Sequence, residues 1–309
     1  MSDLQLEKYI VNSASELGFD GCGFAKADFL ETESARVEEW LSTNNNGTMQ
    51  YIERNRSKRY DPRLLVEGTK AVVAVVQNYF PEQKLNEDDN YQIAKYAYGA
   101  DYHTVVKNKL HLLLQAIERK VGSMPTARVF CDSAPVLDRA WAVRCGLGFI
   151  GKNTSLIVPK KGSFFFIGIM MLPIELTPSP LLTGTCGTCT RCIDACPTHA
   201  LSPFNLDARK CLSYLTIEHK GQINSDLHGH IYGCDACQDA CPYNHFAKPT
   251  IEKLFSPKPQ LRGLHKSDWQ QLDAPKFEQI FGQTAFERAG FENLKRNIEQ
   301  NQLFEHHQI

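Results

Sequence analysis

The amino-acid sequence predicts an α+β fold made of three consecutive regions. Up to about residue 175, short apolar runs that suit buried strands alternate with helical patterns, as in a mixed α/β domain. The next region holds eight of the 11 cysteines of the chain, and the last region is polar with helical spacing. We therefore expect an α/β domain at 1–175, a cysteine-rich domain at 176–248 and a short helical segment at 249–309.

In the first region, strand and helix patterns follow one another along the chain. Residues 71–80 form a β-branched apolar run that ends at Pro81, which is typical of a buried strand. Residues 105–121 place apolar side chains on one side of a helix. The other predicted helices are 4–17 and 135–145, and the other predicted strands are 21–27, 127–131, 156–158 and 163–172. Proline, threonine and serine then recur as in a linker, and short helices are expected again around 267–281 and 284–302.

Composition and charge are those of a globular protein. Hydrophobic residues make up 42% of the 309 residues and charged residues 22%, which excludes wholesale disorder. Because the formal net charge is −1, a polyanionic partner has to be held by a local basic patch. The side chains that could form one, unless they are ordinary solvated surface groups, are Lys107, Lys109, Arg119, Lys120, Arg128, Arg139, Arg144, Lys152, Lys160 and Lys161.

The N-terminus and the apolar runs bear on the compartment. The first ten residues contain acidic side chains and no apolar signal region. The longest apolar run, at 164–173, is shorter than the ~20 residues of a membrane helix. We therefore expect no membrane span and a cytoplasmic location. In a reducing cytosol, clustered cysteines are more often metal ligands or redox groups than disulfides.

The cysteine spacing predicts two [4Fe–4S] clusters. The run Cys186-x2-Cys189-x2-Cys192-x3-Cys196-Pro197 matches the bacterial ferredoxin pattern, in which the fourth cysteine ligates the other cluster. The second run, Cys234-x2-Cys237-x3-Cys241-Pro242, lacks a first cysteine, and Cys211 is the obvious substitute. Cluster one then takes Cys186, Cys189, Cys192 and Cys241, and cluster two takes Cys196, Cys211, Cys234 and Cys237.

The clustered cysteines and the three scattered cysteines each have an interpretation that does not involve iron. A pair of four-cysteine zinc sites is the alternative to the clusters, since CxxC pairs often bind zinc. Zinc sites rarely use three cysteines at successive two-residue gaps followed by Cys-Pro, which favours iron–sulfur. Cys22, Cys131 and Cys145 are scattered, and we interpret them as small buried hydrophobic residues.

Three further features of the first region have both a structural and a functional interpretation. Gly146-Leu-Gly148-Phe-Ile-Gly151 fits the dinucleotide fingerprint formally, but it follows a predicted helix and leads into a strand, which argues against that function. Asp132 follows a predicted strand and precedes Pro135, where capping a helix is its ordinary role. His103 is likewise more often a hydrogen-bonded structural residue than a catalyst.

Several segments form an ordered pattern along the chain. They are Met49-Gln-Tyr51-Ile-Glu-Arg54, Asp61-Pro62-Arg63, Tyr96-Ala-Tyr-Gly99-Ala-Asp101-Tyr102-His103, Asp132-Ser-Ala-Pro135-Val-Leu-Asp138-Arg139, Gly148-Phe-Ile-Gly151-Lys152-Asn153-Thr154, Cys211-Leu-Ser213-Tyr-Leu-Thr216 and Tyr232-Gly233-Cys234-Asp235-Ala-Cys237-Gln238. Together they resemble the epoxyqueuosine reductases, the cobalamin- and iron–sulfur-dependent enzymes that finish queuosine in tRNA. The resemblance covers roughly residues 5–298. The catalytic core is also similar to that of reductive dehalogenases, which use the same cofactors.

The resemblance implies a nitroreductase-like mixed α/β domain that holds cobalamin, followed by a ferredoxin-like domain that feeds it electrons. Asp132 matches the family's general acid, which protonates the oxygen released from the epoxide. The motif residues expected near the cofactor are Arg54, Tyr96, Asp132, Asn153, Ser213 and Asp235. The cobalt-ligating pattern Asp-x-His-x-x-Gly lacks its glycine at Asp101-Tyr-His103 and at Asp226-Leu-His228, which favours base-off cobalamin.

The resemblance also implies partners. These are a tRNA whose anticodon loop carries epoxyqueuosine, and an external low-potential electron donor. We expect a monomer. Many family members continue into HEAT-like helical repeats that help to bind tRNA, whereas this sequence ends at Ile309, so more weight falls on the basic residues at 107–161 and on Lys295 and Arg296.

Two alternative functions stay open at this point. One is a corrinoid- and iron–sulfur-dependent reductase of a small molecule, similar to a reductive dehalogenase. The other is a plain two-cluster electron-transfer protein, which would leave the first region without a role.

Overall fold

A computed structural model describes residues 3–85 and 89–306. Its α-helices are α1 (Asp3–Glu16), α2 (Glu31–Ser42), α3 (Arg56–Tyr60), α4 (Pro62–Leu65), α5 (Tyr102–Val121), α6 (Asp138–Arg144), α7 (Arg191–Asp194), α8 (Ala236–Asp239), α9 (Pro259–Arg262), α10 (Lys266–Gln270), α11 (Ala274–Phe281) and α12 (Phe291–His306). Its strands are β1 (Gly21–Lys26), β2 (Ala71–Asn78), β3 (Gln92–Ile93), β4 (Arg128–Phe130), β5 (Phe149–Ile150), β6 (Leu156–Ile157), β7 (Phe165–Leu172), β8 (Leu201–Ser202), β9 (Asn205–Leu206) and β10 (His230–Tyr232). Short 3₁₀ turns and one π-helical turn, Tyr214–Glu218, connect them.

The first region is built on a four-stranded sheet in the order β1-β2-β7-β4. Every neighbouring pair in this sheet is antiparallel. At the centre, Val73 of β2 lies opposite Phe24 of β1 and Met170 of β7. The predicted strands at 21–27, 71–80, 127–131 and 163–172 are therefore confirmed, and they form one sheet.

Both faces of this sheet are covered by helices. Val73 and Val75 pack with apolar residues of α1 and α5. Val72 and Val76, which point to the opposite face, pack with Trp141 of α6. Burial on both faces explains why residues 71–76 are continuously apolar rather than alternating with polar residues.

The cysteine-rich region and the C-terminal helices pack back onto the first region. β10 pairs in parallel with β3, so residues that are far apart in the chain share one small sheet. A second core joins Tyr232 of β10 with Trp269, Phe281 and Phe286 of the C-terminal helices. Asn297 of α12 donates hydrogen bonds to the carbonyls of Thr216 and Ile231, both in the cysteine-rich region. The helices predicted around 267–281 and 284–302 thus stabilise the cysteine-rich region.

The structure also shows where sequence patterns placed helices imprecisely. The helix predicted at 135–145 begins only at Asp138, because residues 132–137 form a loop. The helix α2 was not predicted. The glycines of the dinucleotide-like motif lie between α6 and the β5–β6 hairpin, and a Cβ on Gly148 would come within 2.2 Å of a backbone oxygen. Close packing of the hairpin therefore accounts for that glycine.

Among the residues that the structure describes, no helix is both long enough and apolar enough to cross a membrane.

Candidate active site and cluster-binding region

Asp132, the predicted proton donor, lies on the loop that follows β4. Its backbone is in the left-handed region with φ 48°, which aspartate tolerates better than most residues. Its side chain is 70% exposed. The Tyr102 hydroxyl donates a hydrogen bond to Asp132 Oδ2 at 2.5 Å, and His103 Nε2 lies 3.9 Å from the same oxygen. The carboxylate is therefore accessible to a substrate while α5 holds it in place.

Tyr102 and His103 are held by the start of α5. Asp101 caps this helix by accepting a hydrogen bond from the His103 backbone N–H, and its Oδ1 lies 2.8 Å from His103 Nδ1. The Tyr102 ring stacks on Phe166 of β7 with the ring centroids 4.2 Å apart. Burial, and then the Asp132 carboxylate, raise the pKa of Tyr102 well above its ordinary value. The hydroxyl therefore stays protonated and remains a donor to Asp132.

Two buried polar atoms near Asp132 lack a hydrogen-bond partner within the described part of the chain. They are Asp138 Oδ1 and Arg59 Nε. Burial, and then the Asp132 carboxylate, raise the pKa of Asp138 to about 8, so this acid is largely neutral at neutral pH. Because buried polar groups normally have partners, the two atoms indicate room for a polar ligand or ordered water.

Partly buried Tyr96 lies between Asp132 and the cysteine-rich region. Its ring centroid is 5.9 Å from that of Tyr102 and 6.1 Å from that of Tyr232. Burial first, then Tyr232, then the carboxylates of Asp132 and Asp235 raise the pKa of Tyr96 well above its ordinary value. Tyr96 is therefore within electrostatic reach of both the candidate acid and the cysteine-rich region.

Asp235 is a buried acid paired with a buried cation. The backbone N–H of Lys95 donates to Asp235 Oδ2 at 2.7 Å, and the Lys95 ammonium lies 3.3 Å from the same oxygen and 2.7 Å from Asp239. Burial raises the pKa of Asp235, and the Lys95 charge opposes that effect. Burial lowers the pKa of Lys95, but the two carboxylates outweigh it and the net change is upward. The pair fixes the turn that carries Cys234 and leads into α8, which carries Cys237.

The eight clustered cysteines form two groups in space. The first group lines one small cavity and consists of Cys186, Cys189, Cys192 and Cys241. The second group consists of Cys196, Cys211, Cys234 and Cys237. Burial raises the pKa of the Cys211, Cys234 and Cys237 thiols, and close neighbours within the group raise these pKa values further. The two groups have the same members as the two predicted ligand sets, and the ligation itself stays a prediction.

Main-chain N–H groups point at several of these sulfurs. The Lys152 N–H donates to Cys186 Sγ at 3.4 Å, and the Ala200 N–H donates to Cys196 Sγ at 3.3 Å. Hydrogen bonds of this kind help to set the reduction potential of an iron–sulfur cluster. By contrast, burial raises the pKa of Cys22 to about 12, so that thiol stays protonated like a small hydrophobic residue.

Of the other residues predicted to contact the cofactor, Asn153 and Ser213 lie beside the cysteine groups, whereas Arg54 does not. Asn153 Nδ2 donates to the Cys237 carbonyl at 3.4 Å, and Asn153 also lines the cavity of the first cysteine group. Ser213 Oγ lies 3.5 Å from the Cys234 carbonyl. Arg54 is exposed and is not brought next to these residues by any contact within the described chain. The cofactor roles of all of them stay predictions.

Comparisons with known proteins decide the family. A family model described as epoxyqueuosine reductase QueG, DUF1730, matches residues 59–133, and one described as a 4Fe-4S double cluster binding domain matches residues 185–244. The epoxyqueuosine reductase of Cellulophaga algicola is 48% identical over 291 residues, which cover 93% of this chain and 94% of that protein.

The chain belongs to the epoxyqueuosine reductase family.

Two solved structures of epoxyqueuosine reductases share the fold. One contains a tRNA-Tyr stem loop modified with epoxyqueuosine; it matches with a TM-score of 0.85 at 28% identity and covers 97% of this chain and 81% of that chain. The other, from Bacillus subtilis with its aspartate catalytic loop swung out of the active site, has the same score and identity and covers 97% and 82%. The predicted nitroreductase-like domain, ferredoxin-like domain and helical C-terminus are thereby confirmed.

Family membership also decides between iron–sulfur and zinc. The double-cluster match spans all eight clustered cysteines, as two cubane clusters require. This epoxyqueuosine reductase fold therefore carries two [4Fe–4S] clusters, and the zinc alternative is wrong.

Several basic residues that were predicted to face tRNA make structural contacts instead. Lys109 forms an ion pair with Glu252 at 2.5 Å, and Arg144 forms one with Glu33 at 2.7 Å. Arg296 donates to three main-chain carbonyls at 215–221. Their partners lie far away in the sequence, which is why composition alone suggested free cations. The basic residues are thus only partly available to an epoxyqueuosine-carrying tRNA.

Sequence reasoning missed three residues of the site. Tyr102 was not singled out, and His103 was given only a structural role, although both belong to the Asp-Tyr-His segment that carried the family resemblance. Lys95 precedes Tyr96 directly and was also missed. A search for polar residues within and directly beside each family motif finds all three.

Proposed function

We propose that this chain reduces epoxyqueuosine to queuosine in tRNA. The observation that carries the proposal is the 48% identity to an epoxyqueuosine reductase over 93% of the chain. The exposed Asp132, held next to Tyr102, supplies the acid that this reaction needs. No observation favours a small-molecule reductase, and a plain electron-transfer protein would have no use for such an acid.

The reaction determines what the side chains have to do. Reduction removes the epoxide oxygen as water, so both C–O bonds of the three-membered ring break and a C=C double bond forms. The substrate therefore takes up two electrons and two protons. We assign Asp132 as the donor of the proton to the departing oxygen. His103, whose ring lies between Asp101 and Asp132, is placed to return a proton to Asp132 from solvent.

Base-off cobalamin is the cofactor that we propose for this site, and when bound it supplies the low-potential metal centre for breaking the C–O bond. The residues fit a large polar ligand, because Asp138 Oδ1 and Arg59 Nε are buried with no partner within the described residues. We propose Arg54, Tyr96, Asn153, Ser213 and Asp235, together with Asp132, as the residues around it. Family motifs and the positions of Tyr96, Asn153 and Asp235 near the cysteine groups support this.

The two clusters carry electrons toward the site of reduction next to Asp132. We propose Cys186, Cys189, Cys192 and Cys241 as ligands of cluster one, and Cys196, Cys211, Cys234 and Cys237 as ligands of cluster two. Asp235 lies between Cys234 and Cys237 in the chain and is within electrostatic reach of Tyr96. Cluster two is therefore the nearer of the two to the site of reduction.

The setting of the reaction follows from the same family. Its macromolecular substrate is tRNA, and we propose that the unstacked modified base of the anticodon loop enters next to Asp132. We further propose a cytoplasmic monomer that is supplied by an external low-potential donor. The domain boundaries at 175 and 248 are part of this proposal.

An activity assay tests the proposal directly. The protein is reconstituted anaerobically with iron, sulfide and cobalamin, supplied with a chemical reductant and given tRNA carrying epoxyqueuosine. We expect queuosine among the digested nucleosides, measured by mass spectrometry. Absence of queuosine from the fully loaded protein would contradict the proposed function.

A substitution tests the role of the acid. Asp132→Asn keeps the shape of the side chain and should lower the rate by about 10²–10⁴-fold while cobalamin still binds. Asp28→Asn, at an aspartate that is 51% exposed and lies before α2, is the matched control and should keep full activity. Full activity in Asp132→Asn would leave Asp132 with a structural role only.

A further inference from the structure

We propose that the surface beside Cys186 and Cys189 docks a small acidic electron-carrier protein. We define the cluster-one face as residues 185–191 together with Pro242 and His245, which line one open depression. The inference rests on the proposed function, because that reaction needs two electrons per turnover from an outside donor. It adds where the donor binds and which chemistry recognises it.

The position of cluster one in the electron path makes it the entry point. Cluster two contains Cys234, which is followed directly by Asp235. The charges of both Asp235 and Asp132 act on Tyr96, so cluster two lies on the side of the Asp132 site. The cysteines of cluster one line a separate cavity that adjoins the open depression. An electron that enters from solvent at cluster one therefore meets cluster two before it reaches the site of reduction.

The residues that line the depression and the cavity of cluster one include two cations and no acid. Three segments line the cavity of cluster one, and their surroundings at 146–174, 176–193 and 240–251 contain no aspartate or glutamate. Of the cations in these segments, Arg191 lines the depression and Lys152 lines the cavity of cluster one, whereas the Lys161 ammonium donates to the Asp20 carbonyl. Glu175, Asp194, Asp239 and Glu252 border these segments directly, and Asp194 accepts a hydrogen bond from the Thr190 hydroxyl. Because the whole chain has a net charge of only −1, this local excess is what an acidic partner would sense.

The face is also ordered and partly apolar. The Lys152 ammonium donates to the carbonyls of Gly187 at 2.7 Å and Cys189 at 3.0 Å, and the Tyr243 hydroxyl donates to the Thr185 carbonyl at 2.9 Å. These contacts fix the loop before any partner arrives, which reduces the entropy lost on docking. Phe246, next to His245, is 56% exposed and offers an apolar contact beside the cations.

The electron balance of docking is simple. A reduced carrier gives one electron to cluster one and leaves oxidised by one electron, and a second docking event supplies the second. A carrier that binds briefly and through charge suits two successive events, because weak complexes dissociate quickly.

The test measures cluster reduction and needs neither tRNA nor cobalamin. The cluster-loaded chain is mixed anaerobically with a flavodoxin in its hydroquinone state, and the loss of cluster absorbance is followed by stopped flow. We expect the second-order rate constant to fall with added salt. Arg191→Glu should lower it about tenfold at low salt, while Arg191→Lys keeps it near the wild-type value. Lys276→Glu reverses an exposed charge on α11 and is the matched control, with no expected change.

A small reductant separates docking from damage to the cluster. Reduction by dithionite should proceed equally fast in all these variants, and iron analysis should show equal cluster content. An Arg191→Glu variant that flavodoxin reduces at the wild-type rate would overturn the proposal, as would a rate that does not depend on salt. Equal slowing with dithionite would also overturn it, since the defect would then lie in the cluster. If flavodoxin reduction behaves as expected but tRNA is not converted, the proposed function fails and the docking surface stands.

Discussion

The Tyr102 hydroxyl donates a hydrogen bond of 2.5 Å to Asp132 Oδ2. This contact crosses 30 residues of sequence and joins the start of α5 to the loop after β4. Since the Asp132 side chain is 70% exposed and its backbone has a positive φ, few other contacts hold it. The tyrosine therefore fixes the position of the carboxylate that we propose as the acid.

Removing this hydroxyl should weaken catalysis without removing the acid. In Tyr102→Phe the ring still stacks on Phe166, but Asp132 loses its donor and samples other positions. We expect kcat to fall about tenfold with little change in KM for tRNA, because positioning errors of this size affect the transition state most. Tyr9→Phe is the control. It removes a hydroxyl that donates to the carbonyl of Ala116, which lies in α5 but far along the helix from Tyr102. Equal activities of the two variants would contradict the positioning role.

His103 can be tested as a proton carrier rather than a structural residue. His103→Ala should lower kcat by about 10-fold or more, because Asp132 is then reprotonated by water alone. Free imidazole added to the assay should restore part of the loss, since the wild-type side chain is 30% exposed and leaves a cavity open to solvent. A purely structural histidine would show no such recovery. The measurement is the initial rate with and without imidazole at fixed pH.

The assignment of Cys211 to cluster two is the part of the cysteine scheme that the ferredoxin spacing does not dictate. Cys211→Ala should leave about four irons per chain instead of about eight, because one cluster loses a ligand. Cys22→Ala, outside the two groups, should keep the full iron content. Iron analysis and the electron paramagnetic resonance signal of the reduced protein distinguish the two results. A full complement of iron in Cys211→Ala would remove this residue from the scheme.

The cysteine-rich region and the central strands were predictable because they depend on local spacing. Two-residue gaps followed by Cys-Pro describe a cluster-binding loop by themselves. The unbroken apolar run at 71–76 indicates a strand buried on both faces for an equally local reason, since consecutive side chains of a strand point to opposite faces. In both cases the chemistry of a few adjacent residues is enough to predict the local structure.

The arrangement around Asp132 was not predictable in the same way. Its partners Tyr102 and His103 are 30 and 29 residues away, and the helix expected from Pro135 starts only at Asp138. The roles of Lys109 and Arg296 were likewise hidden, since their partners come from other regions of the chain. Long-range pairing of this kind depends on the tertiary fold, which periodicity and composition do not encode residue by residue.

Asp138 offers a prediction about stability that depends on pH. Burial raises its pKa from 3.8 to about 8 in the folded protein, and the Asp132 charge adds to this effect. Between these two values the unfolded chain has released the proton and the folded chain still holds it. Folding is therefore penalised increasingly as pH rises through this window, and the penalty is absent below the pKa of the unfolded chain.

Asp138→Asn should remove this penalty, because the amide is neutral at every pH in the range. We expect the variant without cobalamin to be more stable than the wild type at both pH values, and the gain to be larger at about pH 8 than at about pH 6 by roughly 2 kcal/mol. Urea denaturation at the two pH values measures the difference. Asp28→Asn, at an exposed position, should show no such change with pH. A stability difference that is the same at both pH values would show that Asp138 is charged in the folded protein.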